Sequence, residues 1–471
     1  MRKYRILAYW IATLTILYLM IFAVYVKGFY DAKLYAVSHL KTIWLDVFPS
    51  NETYVEVDFS DFIKDVYVDG SVVLVAGSVG YKPSPTVVYP SALIAAYDVD
   101  GKLLWRHVVI NPNVSSEFNG LEVYNDKVYA VGTIGGKAVI YVYNRRGDFI
   151  YTISLPRADE FIERGLEVYA WNNSLYVLTS RRILRMSFSG DILWSINLTG
   201  SAYFHSGVVY LVRKVADRLI LEAVDHRGKV NLVANISLSE WMLSIGHGKA
   251  RVDVYDLCIY RGRAYILMRI NIVSKYHILL AIYDLRSGDY NLMEYSFSGR
   301  DHGGSVATAN DAVYIAGFSY VKDWRKPLLI KTDLNGNLIW LWIPNLTVPS
   351  FSLVEDVDIV GDRIYIAGRT LNSQGMNSAF AMCLEEFKGT FVLENFIEYV
   401  LKPFIVKLTL LAPSSITLLP LIALLYVAYR DYREKRWRDF VISMLILLAV
   451  VVVIVYFIRP ALSDLTLLSY E

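Results

Sequence analysis

The sequence predicts an all-β fold, a seven-bladed β-propeller, carrying one N-terminal and two C-terminal transmembrane α-helices. Three observations lead to this prediction. A unit of about 49 residues recurs seven times between residues 52 and 396, which is the length of a four-stranded propeller blade. Uncharged apolar runs stand near both ends of the chain. Hydrophobic residues make up 55% of the 471 residues and charged residues 20%, an apolar share above that of typical soluble domains.

The first apolar run, residues 6–26, is long enough to cross a bilayer and follows Arg2, Lys3 and Arg5. We interpret it as an uncleaved signal anchor with a cytoplasmic N-terminus. The alternative is a cleaved signal peptide, but the residues that follow lack the small-residue pattern that signal peptidase requires.

Two further spans, residues 408–429 and 440–458, flank a short loop that is rich in Lys and Arg. Because short basic loops stay in the cytoplasm, the spans form a hairpin whose loop is inside. We therefore expect a plasma-membrane protein whose propeller faces outside. The predicted segments are a signal anchor (1–27), a linker (28–51), the propeller (52–396), a linker helix and second transmembrane helix (397–429), a basic cytoplasmic loop (430–439), a third transmembrane helix (440–458) and an external tail (459–471).

Each repeat unit begins with a short apolar strand, as at residues 64–68, and continues into a second one of the type Val-Tyr-Ile-Ala-Gly. The second strand recurs at residues 71–77, 126–132, 173–179, 207–213, 262–268, 311–317 and 362–368. Since every unit holds four strands, seven units predict a closed ring of seven blades. Residues 54–58 are our candidate for the strand that joins the first and last blades.

The second half of the unit turns at a glycine, which supplies the positive φ of a tight hairpin. These glycines are Gly101, Gly147, Gly190, Gly228, Gly288, Gly336 and Gly389. A large apolar residue follows four positions later in every unit, which predicts one buried face of the last strand. These residues are Trp105, Tyr151, Trp194, Leu232, Leu292, Trp340 and Leu393.

The segments at residues 92–105 and 313–317 resemble the repeats of quinoprotein-like and SBBP-type β-propeller proteins. The resemblance covers about residues 52–396, implies the propeller fold and is shared by many non-enzymatic binding proteins. A quinoprotein dehydrogenase would add a calcium site, an adjacent cysteine pair and usually eight blades. This chain has two separated cysteines and seven units, so we predict no cofactor.

Asp65, Asp256 and Asp356 share one position of the repeat, on the first strand, which faces the central channel of a propeller. Three carboxylates in a channel are weak candidates for a cation site. The alternative is that they accept hydrogen bonds from nearby backbone N–H groups and order the blade edges.

His247 and His302 lie in glycine-rich stretches, and we interpret them first as loop residues. Cys258 and Cys383 are expected to be buried as small hydrophobic side chains. A basic and aromatic loop surrounds Trp324 in the sixth unit. It contains Lys322, Arg325 and Lys326 and is either solvated or a contact for a partner or glycan.

The glycosylation pattern Asn-x-Ser/Thr occurs six times, and every occurrence falls in the part expected outside. We predict that at least one of these sites is glycosylated. They are Asn51, Asn113, Asn172, Asn197, Asn235 and Asn345.

These features predict a binding or scaffold subunit of a cell-envelope assembly, without catalytic activity. Its expected partners are membrane lipid, a protein or glycan at a propeller face, and a membrane protein beside the C-terminal helices. The net charge of +2 argues against nucleic acid. The alternatives are an ectoenzyme, glycan-active or quinone-linked, and a structural envelope component. Scarce Cys and Gln are mildly indicative of a thermophile.

Overall fold

The computed structural model describes residues 40–48, 61–84, 87–111, 113–156, 162–240, 250–272, 275–321, 324–344, 353–371 and 377–386. The predicted membrane spans lie outside these ranges. Within them, no helix has the length and apolar character needed to cross a membrane. Every described strand belongs to one compact unit, Ser38–Phe387.

The described chain folds into 28 β-strands. In chain order they are β1 (Leu40–Phe48), β2 (Phe62–Asp69), β3 (Val72–Ser84), β4 (Val87–Asp98), β5 (Leu103–Val109), β6 (Ser116–Tyr124), β7 (Lys127–Ile134), β8 (Lys137–Asn144), β9 (Phe149–Ser154), β10 (Gly165–Trp171), β11 (Ser174–Thr179), β12 (Ile183–Met186), β13 (Ile192–Ile196), β14 (Ser201–His205), β15 (Val208–Val215), β16 (Arg218–Val224), β17 (Val230–Ser237), β18 (Arg251–Tyr260), β19 (Arg263–Ile272), β20 (Lys275–Asp284), β21 (Tyr290–Tyr295), β22 (Asp301–Ala309), β23 (Ala312–Val321), β24 (Trp324–Asp333), β25 (Leu338–Trp342), β26 (Leu353–Val360), β27 (Arg363–Leu371) and β28 (Asn377–Glu386).

The strands form seven antiparallel sheets of four strands, each of which is one blade. Blades 1 to 6 are built from consecutive strands: β2–β5, β6–β9, β10–β13, β14–β17, β18–β21 and β22–β25. The predicted seven-bladed, all-β propeller is therefore confirmed. In each blade the first strand is the innermost, and the second strand carries the Val-Tyr repeat.

Blade 7 is completed by a strand from the other end of the chain. It has the order β26, β27, β28 and then β1, so that Leu40 pairs with Glu386 and Phe48 with Ala379. The sequence predicts a linker over residues 28–51, but Leu40–Phe48 form β1. The closing strand expected at residues 54–58 and the outer strand expected after Gly389 lie outside the described ranges. Pairing with β1 satisfies the outer edge of β28, which would otherwise expose a row of unpaired backbone groups.

Closure is reinforced by side chains that join β1 to blade 1. The indole of Trp44 stacks on Tyr97 with 5.4 Å between ring centroids, and its Nε1 donates a hydrogen bond to Val99 O at 3.1 Å. Tyr97 Oη donates to Asp46 Oδ2 at 2.7 Å. These contacts link the two ends of the propeller chain at the blade 7–blade 1 boundary.

The hydrophobic core consists of seven clusters, and each lies between two neighbouring blades. Leu74 and Phe118 meet between blades 1 and 2, for example, and Ile63 and Tyr365 share the cluster between blades 1 and 7. The repeated tyrosine of the second strand supplies much of this burial. Its fully buried copies are Tyr129, Tyr176, Tyr265, Tyr314 and Tyr365.

The glycine turns between third and fourth strands are confirmed in blades 1 to 6, where all six predicted glycines have positive φ. Gly389 lies outside the described residues. The predicted burial of the following apolar residue reaches its fullest extent at Trp340, which is 3% exposed, and fails at Leu232, which is 63% exposed. A register shift in blade 4 lies beside Leu232, and Ala234 and Ile236 are the buried residues of that strand.

The recurrent glycine that ends the Val-Tyr-Ile-Ala-Gly pattern has a steric cause. In blade 6, a Cβ on Gly317 would overlap the backbone carbonyl oxygen of His302 on the innermost strand. The same overlap with the innermost strand occurs at Gly77, Gly132 and Gly368. Each of these glycines lies beside a register shift, so the glycine permits the bulge that aims the inner-strand side chains.

Candidate functional site

The three aspartates named from the repeat occupy one register of the innermost strands. Asp65 pairs with Ala76, Asp256 with Leu267 and Asp356 with Ala367, each directly after a register shift. Other blades carry different polar residues at this register. They are Glu167 in blade 3, Ser201 in blade 4 and Ser305 in blade 6.

Backbone N–H groups of the neighbouring blade are the main partners of these carboxylates. Val66 N donates to Asp356 Oδ2 at 2.9 Å, and Val306 N donates to Asp256 Oδ2 at 2.7 Å. Leu121 N donates to Asp65 in the same way. Each acceptor lies in one blade and its donor in the next, so the carboxylates stabilise the contacts between innermost strands.

Ser305 connects two of the aspartates. Its Oγ lies 3.0 Å from Asp256 Oδ2 and 2.7 Å from Asp356 Oδ1. A hydroxyl carries one proton, so it donates to one carboxylate and accepts from the other only when that group is protonated. The arrangement therefore favours a shared proton among the acids.

Burial in the protein raises the pKa values of these acids. Desolvation raises the pKa of Asp256 to about 7 and that of Glu167 to about 8. It also raises the pKa of Asp65, with the charge of Asp356 as the next cause, and that of Asp356 itself. Within the described ranges, no group of three or more His, Cys, Asp or Glu side chains is arranged to hold a metal ion.

A second polar region is a cavity of about 360 Å³ between blades 5 and 6. It lies on the face of the ring where first and third strands begin and second strands end. Its lining consists of Arg251, Asp253, Arg269, Asn271, Tyr276, His302, Phe318, Tyr320 and Arg325. We call it the blade 5–6 cavity.

Arg269 contacts both an acidic side chain and an imidazole in this cavity. Its Nη2 lies 2.8 Å from Asp253 Oδ2, and its Nη1 lies 3.0 Å from His302 Nδ1. The guanidinium also lies over the rings of Tyr255 and Tyr276, 5.2 and 5.3 Å from their centroids. Its buried Nε has no hydrogen-bond partner among the described residues. These rings favour the positive charge of the guanidinium through cation–π contacts.

Two further arginines line the same cavity. Arg251 Nε is 3.0 Å from Asp253 Oδ1, and the Arg251 side chain is 74% exposed. Arg325 Nε donates to Tyr320 Oη at 2.7 Å, and its guanidinium lies 5.4 Å from the centroid of Phe318. The lining thus contains three guanidinium groups and one carboxylate, an excess of positive charge that suits an anion.

His302 contributes to the cavity as a neutral imidazole. Desolvation, with the positive charges of Arg269 and Arg325 as the next causes, lowers the pKa of His302 to about 4. Because Nδ1 accepts the hydrogen bond from Arg269, the ring proton resides on Nε2. The ring stacks on Phe318 with centroids 4.3 Å apart and planes at 12°.

His302 and Arg325 meet at this cavity, and both lie in strands, so the expectation that they are loop residues is wrong. His302 belongs to β22 because the glycines after it allow close packing: a Cβ on Gly303 would overlap Leu267. Trp324, beside Arg325, is 47% exposed. Lys322 and His247 lie outside the described residues. Cys258 and Cys383 are buried and free of disulfide bonds, and the four described glycosylation candidates are exposed. Those four are Asn113, Asn172, Asn197 and Asn235, whereas Asn51 and Asn345 lie outside the described ranges.

The other cavity residues were missed by sequence reasoning. A signal was present, because polar residues occur at alternate positions where otherwise buried strands begin or end. Arg251 and Asp253 open β18, and Arg269 and Asn271 close β19. Alternation places such pairs on one side of a strand, but it does not tell which strand of the neighbouring blade they meet.

Comparison with known proteins finds similarity to solved structures only. No protein-family model and no curated protein matches the chain. Solved β-propellers resemble it, among them the propeller domain of the Trilobed protease from Pyrococcus furiosus, with 12% identity and a TM-score of 0.43 over 71% of this chain and 97% of that one. The Neurospora crassa Pan2 WD40 domain has 10% identity and a TM-score of 0.35 over 58% and 90% of the two chains. Polysaccharide lyase Uly1 has 8% identity and a TM-score of 0.46 over 72% and 94%.

Proposed function

We propose that this protein is a membrane-anchored, extracytoplasmic propeller that binds an anionic ligand in the blade 5–6 cavity, as a binding or scaffold subunit of a cell-envelope assembly. The observation that carries the proposal is the set of three guanidinium groups around one carboxylate in a cavity of about 360 Å³. A volume of this size lies near the lower end of small-molecule sites, which span about 300–1,000 Å³. The activity we propose is binding without catalysis.

The channel acids are the less suitable site. Asp256 and Asp356 have backbone N–H or hydroxyl partners, and their function is accounted for by the contacts between blades. In the cavity, by contrast, three guanidinium groups face one carboxylate, and the Arg251 side chain is 74% exposed. An excess of positive charge beside an accessible cavity favours recognition of an anionic ligand.

The position of the cavity on the ring is compatible with anchoring through the chain ends. Third strands begin on the cavity face, as at Tyr276 and Arg325, and end on the other face. The third strand of blade 7 ends at Glu386, which pairs with Leu40 at the start of β1. The chain therefore enters and leaves the propeller at neighbouring points on the face opposite to the cavity, which leaves the cavity face available to a ligand.

The binding part is tested with the full-length protein in detergent, titrated calorimetrically with inorganic phosphate, sulfate and a hexuronate disaccharide. At least one anion should bind, and Arg269→Met should weaken that binding by about tenfold or more, as expected for loss of a charged hydrogen bond. Arg369→Met is the matched control, because Arg369 holds the same repeat position in blade 7 and also lies near a carboxylate, Glu355 at 3.9 Å, but does not line the blade 5–6 cavity. Equal loss in both variants, or no anion binding at all, would overturn the proposal.

The anchoring part is tested independently by epitope tags in intact cells. A tag at residue 434, in the predicted basic loop, should be inaccessible from outside, whereas a tag in the exposed turn beside Asn172 should be accessible. Access to residue 434 from outside would contradict the three-span topology.

A further inference from the structure

The blade 5–6 cavity contains more than positive charge, and its remaining groups restrict the ligand. Asp253 places a carboxylate between Arg251 and Arg269. Each Asp253 oxygen accepts one of these donors and retains a second lone-pair direction. A ligand with hydroxyl donors can use these acceptors, whereas a second negative charge on the ligand would be repelled by them.

The neutral groups of the lining are also both donors and acceptors. Asn271 offers an amide, and Tyr276 and Tyr320 offer hydroxyl groups. His302 offers its Nε2 proton, since Nδ1 already accepts from Arg269. Such a mixed set is suited to a ligand that carries several hydroxyl groups in addition to its charge.

The aromatic side chains add an apolar part to the lining. Phe318, Tyr320 and Tyr276 line the cavity, and Arg325 and Arg269 lie over their rings. A guanidinium group is planar and carries its N–H donors along its edges, and these match the two oxygens of a planar carboxylate.

On the basis of the proposed function, we infer that the ligand of the blade 5–6 cavity is an acidic sugar that carries a single carboxylate, such as a hexuronate residue of a glycan. The arginine edges bind the carboxylate. Asp253, Asn271 and the Nε2 proton of His302 bind the hydroxyl groups. The cavity volume accommodates roughly one or two sugar rings, so the site recognises a short stretch of the glycan.

The inference is tested by calorimetric titration of the full-length, detergent-solubilised protein with four probes. These are a hexuronate disaccharide, the neutral disaccharide of the same linkage, a sulfated neutral disaccharide and inorganic phosphate. The hexuronate probe should bind at least about tenfold more tightly than each of the others, which corresponds to the loss of one charged hydrogen bond. Arg269→Met should remove this preference, and Arg369→Met should leave it intact.

Asp253→Asn provides a second, independent readout. It keeps the size of the side chain and removes the charge that repels dianions, so phosphate should gain affinity relative to hexuronate by about threefold or more. Unfolding of each variant is followed in parallel, so that a misfolded variant is recognised.

The outcomes separate this inference from the proposed function. If sulfate or phosphate binds as tightly as hexuronate and depends on Arg269, the acidic-sugar inference is overturned while anion binding stands. If the neutral disaccharide equals hexuronate, charge recognition is wrong and both fail. Binding of hexuronate alone, with the expected response of Asp253→Asn, supports both.

Discussion

The central channel and the blade 5–6 cavity are both lined by ionisable side chains, yet the two regions use them differently. In the channel, Asp256 and Asp356 accept hydrogen bonds from Val306 and Val66 of the neighbouring blades. In the cavity, three guanidinium groups share one carboxylate, that of Asp253. Charge alone therefore does not identify a binding site. The deciding feature is whether the fold itself satisfies the charged group.

The largest expected effect is a loss of folding stability when one of the channel acids is removed. Asp256→Ala removes the acceptor of Val306 N–H and a partner of Ser305, leaving inner-strand donors unpaired. The free energy of unfolding should fall by about 2–4 kcal/mol, measured by urea denaturation. Asp256→Asn retains an acceptor oxygen and should lose less than half as much. Stability losses below about 0.5 kcal/mol in both variants would contradict a structural function of the channel acids.

A substitution in a hairpin turn tests the stability of a blade without changing any charged group. Gly336→Val places a side chain at φ +86° and brings its Cβ to 2.5 Å from Met293 Cγ, so stability should fall by about 1–3 kcal/mol. Gly361→Val is the matched control, because Gly361 also has positive φ but has nothing within 4 Å of such a Cβ. Thermal unfolding should show the larger loss for Gly336→Val. An unchanged melting temperature would disprove the close turn packing of blade 6.

The pH dependence of stability distinguishes the acids of the channel from His302 of the cavity. The pKa of Asp256 is raised to about 7 in the fold, so its contribution is complete below its unfolded pKa and is lost as pH rises through about 7. Glu167, with a pKa raised to about 8, acts in the same direction. His302, whose pKa is lowered to about 4, acts oppositely, and its contribution is lost as pH falls below its ordinary value. The melting temperature should decline between pH 6 and pH 8, and Asp256→Asn should flatten that decline.

The smallest expected effect on stability is that of removing the Arg269 side chain from the cavity. Arg269→Met should change the free energy of unfolding by no more than about 1 kcal/mol, because it removes one hydrogen bond to His302 between the blades while Asp253 stays paired with Arg251. The measurement is the same urea denaturation used for Asp256→Ala. A loss as large as that of Asp256→Ala would show that Arg269 stabilises the fold, and its effect on ligand binding would then need another explanation.

The repeat and most of its structural consequences are predictable from the amino-acid sequence alone. The period and the Val-Tyr pattern fixed the strands, and the glycine turns fixed the hairpins, since both depend on local backbone conformation and on which strand faces are buried. For the same reason, the sequence alone predicts that Asp65, Asp256 and Asp356 share one register.

Contacts between distant parts of the chain are seen only in the three-dimensional structure. Local patterns do not show that β1 completes blade 7 through the pairing of Leu40 with Glu386, because that pairing joins opposite ends of the described chain. Nor do they show that Arg269 of blade 5 meets His302 of blade 6 across a cavity. The physical reason is that alternation tells which side of a strand a residue lies on, whereas the contacts between blades depend on the closure of the whole ring.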